Sequence, residues 1–380
     1  MFTLQEALDA VADKPEFKVN SREFGTVIDY MITTPSSFEG KTERENMILR
    51  NLRGTCFNVD GKIISLAFEK FHNLGECKGW MPEDIDFNKK KHVLEKLDGS
   101  MIRAIKTQSG YRLGTRAGIT DYSDMAERFI QNSPIRAEYI SFIEEMVSCN
   151  MTPIFEYTSR ENQVVIDYPV SNLTVLAVRC NATGTYFSYS ALLDIASRLP
   201  VVKEIMGEHS CLSDLSKFVK TWEDAEGVVV TFHSGFKVKI KADQYCLLHR
   251  SLDIIQHEKN VLELILTEKI DDLLSLVSDD RRARLEKYRD SVMSNVNLHI
   301  KQILDLYEDW LDLVSTKNDA NSQAEYAQWA KTKQPYTPFL FSLRNKGATG
   351  FIKYLTAQCG SSTSVESARH FIGPGFKDFS

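Results

Sequence analysis

The sequence predicts an α+β domain of mainly antiparallel β-sheets with helices over residues 1–246, followed by an all-helical domain over residues 247–380. Two changes of pattern and one bound predict this. From about residue 24 to 245, apolar and polar residues alternate in short runs punctuated by turn residues. After Tyr245 the apolar residues recur at three and four instead. At roughly 150 residues per domain, the chain length suits two or three domains.

The elements follow in order. Thr55–Val59 and Lys62–Leu66 flank Asp60-Gly61, a pair that closes tight hairpins. Strand patterns continue at 101–106, 111–115, 153–157, 163–168 and 173–180. The last pair is Gly227–Phe232 and Phe236–Ile240, joined through His233-Ser234-Gly235. Helical patterns interrupt at 121–131 and 135–149. In the second domain Val261, Leu264 and Ile265, then Leu285, Tyr288, Val292, Val296, Ile300, Ile303, Leu304, Tyr307 and Leu311, form a stripe that reads as a helix core face rather than a ligand site. Further helices are expected near 324–331 and 338–355, with a loop-like Gly360–Ser364 and no internal repeat.

Hydrophobic content of 43% and charged content of 26% suit a globular protein with a real core. A net charge of −6 excludes a uniformly basic nucleic-acid coat. It leaves room for a local basic groove, and Lys89-Lys90-Lys91-His92 and the alternating Lys237, Lys239 and Lys241 supply the density. Seven cysteines without a Cys-x-x-Cys pair, and eight histidines without metal spacing, read as reduced thiols in a cytoplasmic protein with no structural zinc. Acidic residues in MFTLQEALDAVADK and the lack of an apolar run near 18 residues argue against a signal peptide or membrane span.

Gly40-Lys41-Thr42 resembles the end of a Walker A loop, but Pro35 stands where the first glycine is required, so a surface turn is expected. No Gly-x-Gly-x-x-Gly loop is present. In Glu95-Lys96-Leu97-Asp98-Gly99-Ser100-Met101, Lys96 is either a solvated charge beside a turn or a nucleophile. A nucleophilic lysine, with a free pKa of about 10.4, needs nearby cations or a metal to expose its neutral amine. Lys239 and Lys241 share one face of a strand and can supply such cations or hold a phosphate. Glu156, in Ile154-Phe155-Glu156-Tyr157, and Glu226, before Gly227-Val228-Val229-Val230, are candidate Mg²⁺ ligands; each alone reads equally as a strand-end charge.

The order Lys96-Leu97-Asp98-Gly99, Phe155-Glu156-Tyr157, Glu226-Gly227-Val228-Val229 and Lys239-Ile240-Lys241 resembles the successive motifs of covalent nucleotidyltransferases, the ligases and capping enzymes. The chain is more closely similar to the phage RNA ligase 1 family of ATP-dependent transfer-RNA repair ligases. Leu52-Arg53-Gly54, Glu69–Leu74, Asn162–Val165 and Phe236–Tyr245 extend the likeness over roughly residues 24–280. The resemblance implies a ligase-type nucleotidyltransferase domain in which Lys96 is adenylated and Gly99 lets the nucleotide approach the backbone. Lys239 and Lys241 would hold the α-phosphate, Glu226 the metal, and Glu156 the ribose or the metal. Arg53 and Lys70 match positions that contact nucleotide or RNA phosphates, and Tyr30 lines the same pocket. Arg116 replaces a lysine of the family, keeping the charge and changing its geometry. His72 stands where a second aromatic follows Phe71. Asp271 and Asp272 would bind a metal or cap a helix.

The implied activity is ATP- and Mg²⁺- (or Mn²⁺-) dependent joining of 5′-phosphate and 3′-hydroxyl RNA ends by a cytoplasmic monomer, in the host cell if the chain is phage-encoded. Its partner would be a nicked transfer RNA, read by the helical domain, which replaces the OB barrel of DNA ligases and capping enzymes. The alternatives are a GTP-using or protein-directed nucleotidyltransferase and a non-catalytic RNA-binding scaffold, the latter disfavoured because the five charged motif residues are intact.

Overall fold

Three antiparallel sheets and the helices between them organise the first part of the chain. The architecture comes from a computed structural model that describes every residue except 32, 206–210, 316–322, 347–348, 359–361 and 377–380. Thr3 starts α1 (Leu4–Val11) with a capping box in which its side chain accepts from the Glu6 amide and Glu6 accepts from the Thr3 amide. The first sheet runs β1 (Phe17–Arg22), β2 (Gly25–Tyr30), β3 (Thr55–Phe57), β4 (Ile63–Ser65) in spatial order. Between β2 and β3 lies α2 (Glu43–Asn51), whose N-cap is Thr42. The Gly40-Lys41-Thr42 segment is therefore a helix start, and Thr42 Oγ1 accepts from the Glu45 amide at 3.2 Å. Phe17, Ile28, Phe38, Leu49, Leu52 and Phe57 close the core of this layer.

The remaining strands are β5 (Lys91–Lys96), β6 (Ser100–Thr107), β7 (Gly110–Gly114), β8 (Met151–Thr158), β9 (Asn172–Cys180), β10 (Gly227–Phe232) and β11 (Lys237–Lys241). They divide into a sheet ordered β11-β10-β5 and another ordered β7-β6-β8-β9. On the latter pack α3 (Asp121–Asn132) and α4 (Arg136–Ser148), with Tyr139, Phe142 and Ile143 against Ile102, Phe155 and Val175. Two shorter helices, α5 (Tyr189–Ile195) and α6 (Leu212–Lys220), precede β10, and Leu212, Leu215 and Val219 bury against Val228 and Val230.

Asp98-Gly99 does not close a hairpin between its flanking strands, because β5 and β6 belong to different sheets and the chain changes sheet there. Asp98, 3% exposed, holds this crossing. Its carboxylate accepts from the amides of Val165 and Ile166 and from the Tyr245 hydroxyl, each at 2.8 Å, while its own amide donates to Tyr168 Oη at 3.1 Å. The strand expected at 163–168 is instead a loop, since two of the amides a ladder would use are spent on Asp98.

The chain divides into two units, Met1–Cys246 and Leu247–Ser380. Helix α7 (Asp243–Ile255) is followed by α8 (Glu258–Leu266), α9 (Ile270–Leu274), the 37-residue α10 (Asp279–Ser315), α11 (Gln323–Lys331), α12 (Thr337–Lys346), α13 (Thr349–Gln358) and α14 (Ser362–Ile372). Of the expected stripe, Leu285, Tyr288, Val292, Val296 and Ile303 are buried in the core of the second unit and Ile300 and Tyr307 pack against it, but Leu304 and Leu311 are exposed, and Trp310 is buried instead of Leu311. The single helix expected over 338–355 is two helices. Ser362–Ser364 open α14 rather than a loop, and Gly360 and Ser361 lie outside the described residues. The described cysteines are free thiols, and no described helix is long and apolar enough to cross a membrane.

Replacing Asp98 by Ala leaves the amides of Val165 and Ile166 without this acceptor, at about 1–3 kcal/mol for each. Asp98→Ala should lower the calorimetric unfolding midpoint by about 5 °C or more, and the isosteric Asp98→Asn should lose less. A midpoint unchanged in Asp98→Ala would remove Asp98 from its place as the anchor of the crossing.

Candidate active site

Strand register turns the order of motifs into a cluster. On β10, Gly227 lies opposite Lys96 of β5 on one side and Lys241 of β11 on the other. Glu226, immediately before Gly227 and 3% exposed, therefore reaches both lysines. Its Oε2 is 2.6 Å from Lys96 Nζ and its Oε1 is 2.9 Å from Lys241 Nζ. Gly227 is required here: its φ is +141°, and a Cβ would sit 2.1 Å from the Ile240 carbonyl.

The three lysines at alternate positions of β11, Lys237, Lys239 and Lys241, line one cavity of about 460 Å³ together with Lys96. Segment 72–74 docks on β11 as a parallel bridge: the Lys239 amide donates to the His72 carbonyl at 3.0 Å and the Leu74 amide to the Lys239 carbonyl at 2.8 Å. This brings Lys70 and Phe71 into the lining, with Lys239 Nζ 5.3 Å from the Phe71 ring centroid. His72 is buried elsewhere, against Trp80 at 4.7 Å between ring centroids and with Nδ1 2.8 Å from Glu76, so its departure from an aromatic is absorbed in the core. Tyr30 ends β2, Arg53 precedes β3 and Arg116 follows β7, and all three line the cavity. Glu156, opposite Met101 in the β6–β8 pair, completes the wall. Gly99 also lines it, but a Cβ there would meet the Tyr157 carbonyl at 2.3 Å, so strand packing already demands glycine.

The cavity holds its charges at a cost. Burial, with the nearby Glu226 carboxylate adding to it against the pull of Lys96 and Arg53, pushes the Glu156 carboxyl up to about 8. Burial first, then the cations Lys70, Lys96 and Arg53, pull Lys239 down to about 7. Lys239 is thus a cation below about pH 7 and loses its charge as the pH rises through it.

A second charged cluster was not anticipated from the sequence. Glu69 lies 2.9 Å from Arg179 and 3.7 Å from Lys237, and accepts from the Tyr186 hydroxyl. Burial lowers Lys237 to about 8 despite Glu69. Burial also raises Glu69, but Lys237, Arg179 and the Tyr186 hydrogen bond outweigh it and hold the carboxyl below its usual range. Lys237 had a signal, as the third alternate lysine of β11; Arg179 and Tyr186 had none, because they meet Glu69 from more than a hundred residues away. Asp271 and Asp272 are in the second unit, in the first turn of α9, with the Asp271 side chain 83% exposed and 3.5 Å from Arg289. No group of three or more acidic, histidine or cysteine side chains suited to a metal occurs among the described residues. Mg²⁺ sites commonly use only one or two protein carboxylates.

The RNA ligase family model of the phage ligase 1 type matches residues 51–245, just over half the chain. A protein of Thermovibrio ammonificans, provisionally named an RNA ligase, is 25% identical over 306 residues, 77% of each chain. A protein of Autographa californica nuclear polyhedrosis virus, provisionally named a bifunctional polynucleotide kinase/RNA ligase, is 26% identical over 279 residues, which are 69% of this chain and 39% of the viral one. Among solved structures, a protein of Aquifex aeolicus provisionally named an ATP-dependent DNA ligase matches 78% of this chain and 75% of its own at 15% identity and a TM-score of 0.46. The Naegleria gruberi RNA ligase, in a structure with ATP and Mn, matches 43% of this chain and 52% of its own at 12% identity and a TM-score of 0.35. This chain therefore spans about half the length of the Naegleria protein. The family match runs through Lys96, Glu156, Glu226, Lys239 and Lys241, and the chain belongs to the phage RNA ligase 1 family, with the nucleotidyltransferase fold of the ligases.

Proposed function

We propose that the chain is an ATP-dependent RNA ligase that joins a 5′-phosphate to a 3′-hydroxyl RNA end and repairs broken transfer-RNA anticodon loops. The observation that carries this reading is the Glu226 carboxylate bridging Lys96 and Lys241 on a cation-lined cavity. In the first step Lys96 Nζ attacks the α-phosphorus of ATP. Lys96 Nζ, an ammonium in its ion pair, first gives up one proton to expose its lone pair, and Glu226 Oε2 at 2.6 Å is placed to receive it and pass it to solvent. The N–P bond then forms as the bond to pyrophosphate breaks, and the second proton leaves Nζ with the departing pyrophosphate. Lys239 and Lys241 offset the charge growing on the phosphate, and Arg53, Lys70 and Arg116 hold the remaining phosphates. AMP then passes to the RNA 5′-phosphate, and the 3′-hydroxyl displaces it.

The acidic residues present fit a divalent cation: Glu156 carries a raised pKa to which the Glu226 charge contributes, a pairing that a cation relieves. Glu156 and Glu226 would hold it, and such an ion supplies charge neutralisation at the phosphates. Both Glu226 oxygens are engaged by lysines, so the release of Oε2 when Lys96 loses its positive charge is part of this reading. The second unit, which has its own apolar core, is proposed as the transfer-RNA specificity module.

With α-labelled ATP and Mg²⁺, the denatured protein should carry label that Lys96→Ala loses by about 10³-fold or more, while sealing of pre-adenylated RNA survives. Label from GTP alone would reassign the nucleotide, and no label from either, in folded protein free of bound AMP, would defeat the enzyme reading. Without metal, nucleotide binding at pH 8 should take up protons, because the phosphates favour the charged form of Lys239; calorimetry in buffers of different ionisation enthalpy reads this. Lys239→Arg, always charged, should reduce the uptake to the share that Glu156 contributes as the phosphates push its carboxyl up further from about 8, and proton release by the parent would contradict the assignment. Removal of the second unit should impair anticodon-loop repair at least tenfold more than ligation of simple oligonucleotides; equal losses would refute the specificity role.

A further inference from the structure

Arg116 and Arg53 are held from outside the cavity they line. Arg116 Nε lies 3.2 Å from Asp29 Oδ2, and its guanidinium stacks over the Tyr30 ring at 4.8 Å from the centroid. Its two terminal nitrogens have no hydrogen-bond partner among the described residues. Arg53 offers Nη1 only to the Met101 sulfur at 3.3 Å, a weak acceptor. Behind them, Gly54 has φ +76° and its α-carbon faces the Arg116 carbonyl so closely that a Cβ would lie 2.1 Å from it. Arg103, fully buried, donates Nη2 to the Gly54 carbonyl and Nη1 to Ser65 Oγ at 2.5 Å. The main chains of both cavity arginines are thus fixed in contact, and only the direction of each side chain remains to be set.

Asp29 sets it for Arg116. The residue is 8% exposed, and its Oδ1 is buried with no hydrogen-bond partner among the described residues. A carboxylate kept buried with one oxygen unsatisfied costs stability unless its charge does something. We propose that Asp29 is a positioning residue: by engaging Arg116 through Nε, it presents the two terminal nitrogens of Arg116 to the cavity as a two-pronged donor for phosphate oxygens. An end-on carboxylate would consume those nitrogens, and a lysine at 116 would bring a single nitrogen to share between Asp29 and a phosphate. This inference rests on the ligase reading only for the source of the phosphate, which is the triphosphate tail of the nucleotide or the 5′-phosphate of the RNA.

The test uses the full chain in a Lys96→Ala background, which cannot hold AMP at residue 96. Calorimetric titrations with inorganic pyrophosphate, and with a 5′-phosphorylated against a 5′-hydroxyl oligoribonucleotide, compare Asp29→Asn, Arg116→Lys and Arg116→Ala. Asp29→Asn should weaken one phosphate probe about tenfold, Arg116→Lys should do the same, and Asp29→Asn should add nothing to Arg116→Ala. A loss confined to pyrophosphate identifies the triphosphate tail, and one that requires the RNA 5′-phosphate identifies the RNA end. Unchanged affinity for both probes, or losses that add in the double variant, would overturn the proposal. Arg116→Lys, at a side chain 39% exposed, keeps the test open should Asp29→Asn fold poorly. If the parent takes no label from ATP yet Asp29 still governs pyrophosphate affinity, the ligase reading fails and the positioning role stands.

Discussion

Everything in the cavity depends on one buried carboxylate set between two ammonium groups. Lys96 and Lys241 end strands on either side of β10, and without Glu226 between them the sheet would bring two cations together in a poorly solvated space. A buried ion pair adds little to stability, but removal of one partner leaves an uncompensated charge costing about 3–5 kcal/mol. Glu69 performs the same service for Lys237 and Arg179 on another wall. Once these charges are matched, Arg53, Lys70 and Lys239 remain in the lining with no carboxylate of the described residues within 4 Å. Burial lowers the Lys239 pKa first, and the neighbouring cations Lys70, Lys96 and Arg53 lower it further, so the site carries positive charge beyond what its own acids offset, which is the condition for attracting a polyanion.

The surplus is built by topology. Neighbouring strands of one sheet come from positions more than a hundred residues apart, and antiparallel register aligns their ends. The chain must leave that sheet directly after Lys96 to form β6, and the buried Asp98 secures the exit by collecting amides from the loop at 165–166 and the hydroxyl of Tyr245. Tyr245 stands four residues beyond Lys241, so Asp98 ties the region after one lysine to the region after the other. Fold stability and site geometry are here the same hydrogen bonds.

This explains what could be read from the sequence and what could not. The alternation Lys237, Lys239, Lys241 implies a shared face on any strand, and Glu226-Gly227 before an apolar run implies a strand start, but neither pattern places them beside Lys96; that convergence came from the resemblance carried by the order of the motifs. The hairpin β1–β2 was not, because β1 is exposed at most positions and carries little apolar alternation. The run Gln163–Tyr168 alternates like a strand, yet its amides answer to a carboxylate 67 residues earlier, a partnership that no local pattern encodes. Arg103, in the middle of an apolar strand, looks like an outward-facing charge; it is wholly buried because the Gly54 carbonyl and Ser65 hydroxyl accept from it.

On the proposed reading, the charge balance also orders the reaction. Before reaction Glu226 is engaged by both Lys96 and Lys241. Formation of the lysine–AMP bond turns the Lys96 ammonium into a neutral nitrogen, so the attraction at Glu226 Oε2 disappears while that at Oε1 persists. The departing pyrophosphate removes negative charge from the side lined by Arg53, Lys70 and Arg116, while Glu226 is left less well compensated than before. The adenylated protein therefore has a more cationic region where the pyrophosphate was and a more anionic one beside the AMP. A second phosphate-bearing ligand is drawn to the first of these, and the nearby AMP then finds its acceptor without any rearrangement of the sheet that carries Lys96.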